Sequence, residues 1–563
     1  MRRLALCLLA LSCAHAPPPN VDQQQWFELQ TEHFTLRTNV AEADARQNIA
    51  DMEQARLALR GAGWHSNHED KGRTIVVQFA SSDELHEVAS KSLEGFAAFD
   101  VFGEPIIVIH AGKDVLEQDL FKHELTHVIN NGFLVSKPRW VNEGIACYLE
   151  TLEMKRGHLD ATMGKPSSER LGYLQQHPGG GWFTVMSQGS DILTEDAERG
   201  YAFETSAWIL VHYFVDYKPE SFEKYLNQLA RGVEPWKAFG VAFPGLTQEE
   251  LAQNMRAYLK SGNVRIDKLK VEPWKGSIAV RALPRADVHA LRANLFRLSV
   301  GFPGPRKDLE RAELASALSI DPANPYALMM SADADPSAAT KAHPDDWRSW
   351  FVAADRRQYD LADISRAAKL APDVPGVVER LALAEAGAGD LKQALTHATL
   401  AVDLAPGRPD GLDVLAQVYA ASGRCDDATS AEQRAMDAVS DNAGAGAARY
   451  FRSRMDVLAS NCSAQRAPAV LETVSRTVAT VREVKLRACS KPVPRVWFKG
   501  KLQAVFTIGK DGKAHDVAIS GNAAKPVVAV VRKYVESCSY EPQSIDGKPV
   551  TAHRTLIFSP SSK

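Results

Sequence analysis

The feature that most restricts this chain is His123-Glu124-Leu125-Thr126-His127, with Glu143 sixteen residues beyond His127 in Trp140-Val141-Asn142-Glu143-Gly144-Ile145-Ala146. Residues four apart lie one turn apart on one face of an α-helix, so the two imidazoles can hold a single zinc ion. Glu124 is turned about 100° around the helix axis from His123, near enough to reach a metal-bound water without being a ligand. The fold must therefore put a helix under this motif and bring a carboxylate to it.

The neighbouring residues agree. Phe121, Leu125, Val128 and Ile129 form an apolar stripe opposite His123 and His127, so one side of the helix packs while the other faces a cleft. Asn131-Gly132 supplies a stop signal, and Pro138 suits the first turn of a second short helix. On that helix Val141, Ile145 and Tyr148 recur at packing intervals while Glu143 points elsewhere. Two helices joined by a short link can bring Glu143 to both imidazoles, and three protein ligands leave a fourth position for water.

On these residues the chain resembles the gluzincin metallopeptidases, of the peptidase MA-like kind found in bacterial envelope proteins. The run Trp140-Val-Asn-Glu-Gly-Ile-Ala-Cys-Tyr148 is similar to the segment that carries the glutamate ligand in the aminopeptidase branch. The resemblance implies one catalytic Zn²⁺ on His123, His127 and Glu143, Glu124 as general base, and a peptide or protein substrate. It also implies a role for Tyr201, which opens a helical run as the family's oxyanion-binding tyrosine does. A Gly-Ala-Met-Glu-Asn motif, which reads a free amino terminus in the aminopeptidase branch, is absent, and this favours an endopeptidase. Other nearby residues have plainer readings: His212 and Tyr213 as core or wall, Cys147 as a small buried filler, and Asn142 as a candidate to orient a ligand.

Before the motif, residues 26–39 alternate like two short strands around a turn, and a helix is expected from about Ala41 to Leu59. Thr74 to Ala80 reads as a buried strand, and residues 99–110 as further strand near the sheet edge. Residues 157–181 read as a polar connection, and amphipathic helices are expected at about 219–231 and 247–261. Strands, then the metal helix, then more helices is the α+β order of the zincins, giving an expected peptidase domain over 21–272. In that family the strand nearest the metal helix takes an extended peptide by strand addition, and the candidate is the 99–110 region.

The first twenty residues read as an export segment and proline spacer: Met1-Arg2-Arg3, an apolar run to Ser12-Cys13, then Pro17-Pro18-Pro19. Ser12-Cys13 resembles a lipobox, which would make Cys13 a lipidated terminus. Ala14-His15-Ala16 instead suits ordinary signal peptidase. We favour the lipoprotein reading, and either one puts the mature chain in the periplasm or at the outer membrane, touching membrane only through the Cys13 anchor. An oxidising compartment permits disulfides, and Cys425–Cys462 and Cys489–Cys538 are the expected pairs, each within one domain. The formal net charge of −3 supplies no basic excess for phosphates and excludes nucleic acid as an expected partner.

Around residues 285–465 the chain becomes Ala- and Leu-rich with an internal repeat. Leu370-Ala371-Pro372 recurs as Leu404-Ala405-Pro406, and Gly389 and Ala394 recur as Gly423 and Ala428, all at an offset of 34. That is the tetratricopeptide (TPR) period, so an α-helical TPR solenoid is expected, with a surface for a peptide or protein partner. Ile320-Asp321-Pro322 resembles a further repeat end, but it stands fifty residues before Pro372.

Residues 485–563 change character again. A strand over Leu502–Ile508, a turn at Lys510-Asp511-Gly512-Lys513, a strand over Ala514–Ser520, a helix near Pro526–Glu536 and a last strand through Phe558 give a small α+β module of ββαβ order. It resembles the C-terminal domain of the TonB energy transducers, particularly in the DGK turn and the Asp546-Gly547-Lys548-Pro549-Val550 segment. The resemblance implies an envelope protein-binding domain. Two functions follow for the whole chain: a zinc-dependent envelope peptidase, or a catalytically silent scaffold that binds proteins through its repeats and C-terminal module.

Overall fold

The computed structural model describes residues 21–63, 72–91, 93–112, 114–177, 181–187, 197–298, 300, 306–331, 335–357, 359–438, 444–463, 481–482, 485–491, 502–520, 525–545, 548–550 and 552–558. The export segment with Cys13, the proline spacer, the side chain of Cys462 and the Asp546-Gly547 step lie outside the described residues. The described chain is mostly helical with a mixed sheet.

The first elements are β1 (Phe27–Gln30), β2 (Phe34–Thr38), α1 (Glu42–Gly63), β3 (Thr74–Phe79), α2 (Ser82–Val88), β4 (Gly95–Phe99) and β5 (Pro105–His110). Strands β1 and β2 form the expected antiparallel pair, and β2–β3 and β3–β5 run parallel. Every residue of β2 and β3 is buried, as strands covered on both faces must be. The strand order is β4-β5-β3-β2-β1-β9, where β9 (Ala279–Ala282) lies beyond the expected boundary at residue 272. It belongs to this sheet because β1 would otherwise expose a row of unpaired backbone groups; Leu29 faces Val280 across the pair.

Strand β5, expected near the edge, is the second strand of the sheet. Its run Ile106-Ile107-Val108-Ile109 is buried throughout, which requires cover on both faces, and β4 and β3 flank it. The edge is β4, antiparallel to β5.

The metal-motif helix is α3 (Asp119–Phe133), followed by α4 (Arg139–Leu149). Helix α3 runs past Asn131-Gly132 because Phe133 still packs on the core and the N–H of buried Leu134 caps the carbonyl of Asn130. Pro138, at φ −58°, is the residue before the first turn of α4. Next come β6 (Glu153–Met154), β7 (Asp160–Met163), α5 (Ser168–Gln176), α6 (Trp182–Met186), α7 (Ala197–Tyr217), α8 (Pro219–Ala230), α9 (Pro235–Ala242), α10 (Gln248–Ser261) and β8 (Asp267–Lys270). The stretch 157–181, read from sequence as a polar connection, thus contains β7 and α5. One core joins Leu36, Val76 and Ile107 of the sheet to Phe121 and Leu125 of α3, Trp140 and Val141 of α4, and Trp208 of α7.

Helices α11 (Arg285–Leu298), α12 (Lys307–Ile320), α13 (Pro325–Met330), α14 (Ser337–Ala342), α15 (Trp347–Arg356), α16 (Leu361–Leu370), α17 (Pro375–Gly387), α18 (Leu391–Leu404), α19 (Pro409–Ala421), α20 (Cys425–Asp437) and α21 (Gly444–Ser463) follow. The fifty residues between Pro322 and Pro372 are filled by α13 to α16, two of them only six residues long. That explains the irregular spacing. Helices α17 and α19 begin 34 residues apart, as do α18 and α20. The turns between them use Gly389 and Gly423 at φ +86° and +73°, a region that favours glycine, and Ala394 and Ala428 are fully buried.

The chain divides into two compact units: 1–381 with 400–408 and 440–442, and 382–399 with 409–439 and 443–563. The second unit also holds β10 (Val481–Arg482), β11 (Lys485–Cys489), β12 (Leu502–Ile508), β13 (Ala514–Ser520), α22 (Lys525–Glu536), β14 (Cys538–Glu541), β15 (Gln543–Ile545), β16 (Lys548–Val550) and β17 (Ala552–Phe558). Strands β13-β12-β17 form one sheet, and Phe506, Val517, Val535 and Tyr540 fill a small core. Cys489 and Cys538 are bonded across the β11–β14 pair, and Cys425 is also disulfide-bonded. Among the described residues no helix is long and apolar enough to cross a membrane.

Candidate metal centre

Helices α3 and α4 pack together with Glu143 inside the contact. Asn130 Nδ2 of α3 donates to Asn142 Oδ1 of α4 at 3.2 Å, and Trp140 stacks on Tyr225 of α8 with ring centroids 5.9 Å apart. Asn142 therefore ties the helices together. Gly144 lets α4 lie against α7: a Cβ there would fall 2.5 Å from the Ala207 carbonyl oxygen. These contacts fix the turn from which Glu143 projects.

Nε2 of His123 and Nε2 of His127 are 3.1 Å apart, and Glu143 Oε2 lies 3.6 and 3.5 Å from them. Three donors bound tetrahedrally at zinc–ligand lengths of about 2.0–2.1 Å would be about 3.4 Å from one another. The residues present thus fit a zinc ion. Glu143 Oε1 is engaged differently, 3.3 Å from Arg139 Nη2. Burial alone would raise the Glu143 carboxyl, but His127, His123 and Arg139 hold it well below the usual range. Burial likewise opposes charge on His123, while contacts with Cys147, Glu143 and Glu150 raise it well above the usual imidazole value. Glu124, half-buried, makes no side-chain hydrogen bond among the described residues, which leaves its carboxylate available to a proton.

A second group of donors, His123, Cys147 and Glu150, also converges. It is the poorer metal site. Glu150 Oε2 already faces His123 Nδ1 at 2.8 Å, and its Oε1 accepts from Arg170 Nη2 at 2.8 Å, a fixed cation beside the would-be ion. Burial and the Glu150 charge push the Cys147 thiol up to about 12, so sulfur stays protonated. Cys147 is fully buried and free.

Tyr201 makes no hydrogen bond to the histidines among the described residues. It lies in the second turn of α7 instead of opening the helix, and its hydroxyl donates to Glu169 Oε1 at 3.1 Å. One turn on, Glu204 feels the cluster: burial and the Glu143 charge raise its carboxyl. His212 and Tyr213 are core. His212 is fully buried between Trp208 and Tyr148, ring centroids 4.8 and 4.7 Å away, with neither ring nitrogen hydrogen-bonded among the described residues.

Sequence reasoning missed Arg139, Glu150, Arg170 and Glu204. A signal existed for one: Glu143, Cys147 and Glu150 recur at i, i+4 and i+7, one face of α4.

Residues 121–235, which carry every group of this cluster, match a family described as "Protein of unknown function (DUF1570)". No curated protein matches the chain. Among solved structures, the chain is similar to a thermophilic TPR protein of Thermus thermophilus, at 18% identity and TM-score 0.23, over 27% of this chain and 91% of that one.

Proposed function

We propose that the chain is a zinc-dependent peptidase, acting as an endopeptidase on protein or peptide substrates. The observation that carries the reading is the convergence of His123, His127 and Glu143 at 3.1–3.6 Å, with Glu124 on the same helix making no side-chain hydrogen bond among the described residues. A bound zinc ion would supply Lewis acidity and a water of lowered pKa. Glu124 would be the base that takes a proton from the attacking water and hands it to the leaving amine. His123, His127 and Glu143 hold position, with Arg139 keeping one oxygen of Glu143 turned away from the histidines. Tyr201 serves the oxyanion only by exchanging its bond to Glu169 for one to substrate.

That same bond is the one feature favouring the alternative, a silent scaffold. In either case the helical hairpins and the C-terminal sheets serve protein partners, and the chain works outside the cytoplasm, anchored through Cys13 or secreted. The test compares zinc content and hydrolysis of a peptide mixture for wild type, Glu124→Gln and His123→Ala. The reading requires zinc without cleavage in Glu124→Gln and neither in His123→Ala. Cleavage by zinc-loaded Glu124→Gln would end it.

A further inference from the structure

We propose that Glu150 and Arg170 are positioning residues that clamp His123 for the metal and tie it to the seat of Tyr201. This rests on the metal reading above. Glu150 Oε2 lies 2.8 Å from His123 Nδ1, so the ring presents Nε2 to Glu143 and His127. A carboxylate on the far nitrogen fixes tautomer and ring angle and raises the ligand's basicity. The carboxylate is itself fixed: its other oxygen accepts from Arg170 at 2.8 Å, and both side chains are largely buried, at 18% and 13% exposure.

Arg170 comes from α5, and its origin is built in. Ser167 Oγ accepts from the Arg170 N–H at 3.2 Å and caps the first turn of the helix. The guanidinium then reaches two ways. One nitrogen holds Glu150, and the group lies 5.8 Å from the centroid of the Tyr201 ring. The neighbouring residue, Glu169, accepts the Tyr201 hydroxyl. One turn of α5 thus serves both a metal ligand and the tyrosine on α7.

The comparison is between wild type, Glu150→Ala, Glu150→Gln, Arg170→Met and Arg170→Lys in the full chain. Zinc affinity is read by chelator competition, folding by circular dichroism, and the His123 Nδ1–H by ¹⁵N-histidine NMR of the metal-free protein. We expect folded variants in which Glu150→Ala binds zinc about 10- to 100-fold more weakly. Arg170→Met should weaken zinc less, with Arg170→Lys recovering part of the loss. Glu150→Gln keeps an acceptor and falls between wild type and Glu150→Ala. The hydrogen-bonded Nδ1–H signal should be present in wild type and lost in Glu150→Ala. A wild type that takes no zinc overturns the metal reading. A zinc-binding wild type with unchanged affinity in Glu150→Ala and Arg170→Met overturns the clamp alone, and so does an unchanged Nδ1–H signal.

Discussion

Arg139 and Glu143 stand one turn apart on α4 with Arg139 Nη2 3.3 Å from Glu143 Oε1, while Glu143 Oε2 faces both histidines. The arginine thus assigns different tasks to the two oxygens of one carboxylate. Removing it frees Glu143 to rotate. Arg139→Met should weaken zinc binding about tenfold without unfolding the chain, as read by chelator competition beside circular dichroism. Unchanged affinity would mean that α4 packing alone orients Glu143.

Gly144 tests the packing half of that statement. An added methyl would meet the Ala207 carbonyl oxygen at 2.5 Å and Val211 Cγ2 at 2.7 Å, so α4 and α7 must part. Gly144→Ala should destabilise the protein by about 1–3 kcal/mol in denaturant unfolding. It should also lower zinc affinity, because the shifted helix carries Glu143.

His212 makes the fold sensitive to acid. Burial lowers its imidazole from the ordinary 6.5 to about 3. The unfolded chain therefore takes the proton first. Its contribution to stability is intact above pH 6.5 and is lost as pH falls from there toward 3, at about 1.4 kcal/mol per pH unit. His212→Leu should flatten that part of the stability–pH curve, measured by urea unfolding between pH 4 and pH 7 for both proteins.

The second unit carries the opposite dependence. Glu432 of α20 is fully buried, and Asp413 of α19, with Arg454 Nε at 3.1 Å from Asp413 Oδ1, lies beside it. Burial and the Asp413 carboxylate raise the Glu432 carboxyl, so the folded chain keeps a proton that the unfolded chain releases near 4.5. Stability falls as pH rises above that value. Thermal unfolding should show Glu432→Gln gaining on wild type as pH increases, and a constant difference would contradict the assignment.

The residues that announce themselves in the sequence are those whose partners are near along the chain. The two histidines and Glu143 lie within 21 positions of one another, and helix period alone puts the pair on one face. The strands over 27–38 and 74–79 and the 34-residue helical hairpins followed from alternation and repeat spacing for the same reason. Arg170 escaped because its value lies in where α5 is set down, in a stretch whose polar residues look like a connection. The Tyr201–Glu169 bond could not be foreseen either, because helix period does not say which group on another helix a phenol meets. The edge strand β4 beside β5 was not foreseen, because an apolar run of four gives depth and not strand order. The second partner of β1, strand β9, arrives about 250 residues later, and no local pattern indicates it.

The account depends on one ion held by His123, His127 and Glu143. Its most direct test is a crystal structure of the zinc-soaked protein with anomalous data collected on both sides of the zinc edge. The account predicts a single anomalous peak bonded by Nε2 of His123, Nε2 of His127 and one oxygen of Glu143, with a fourth position open to solvent. An empty site, or zinc on Cys147 and Glu150 with Glu143 unbound, would contradict it.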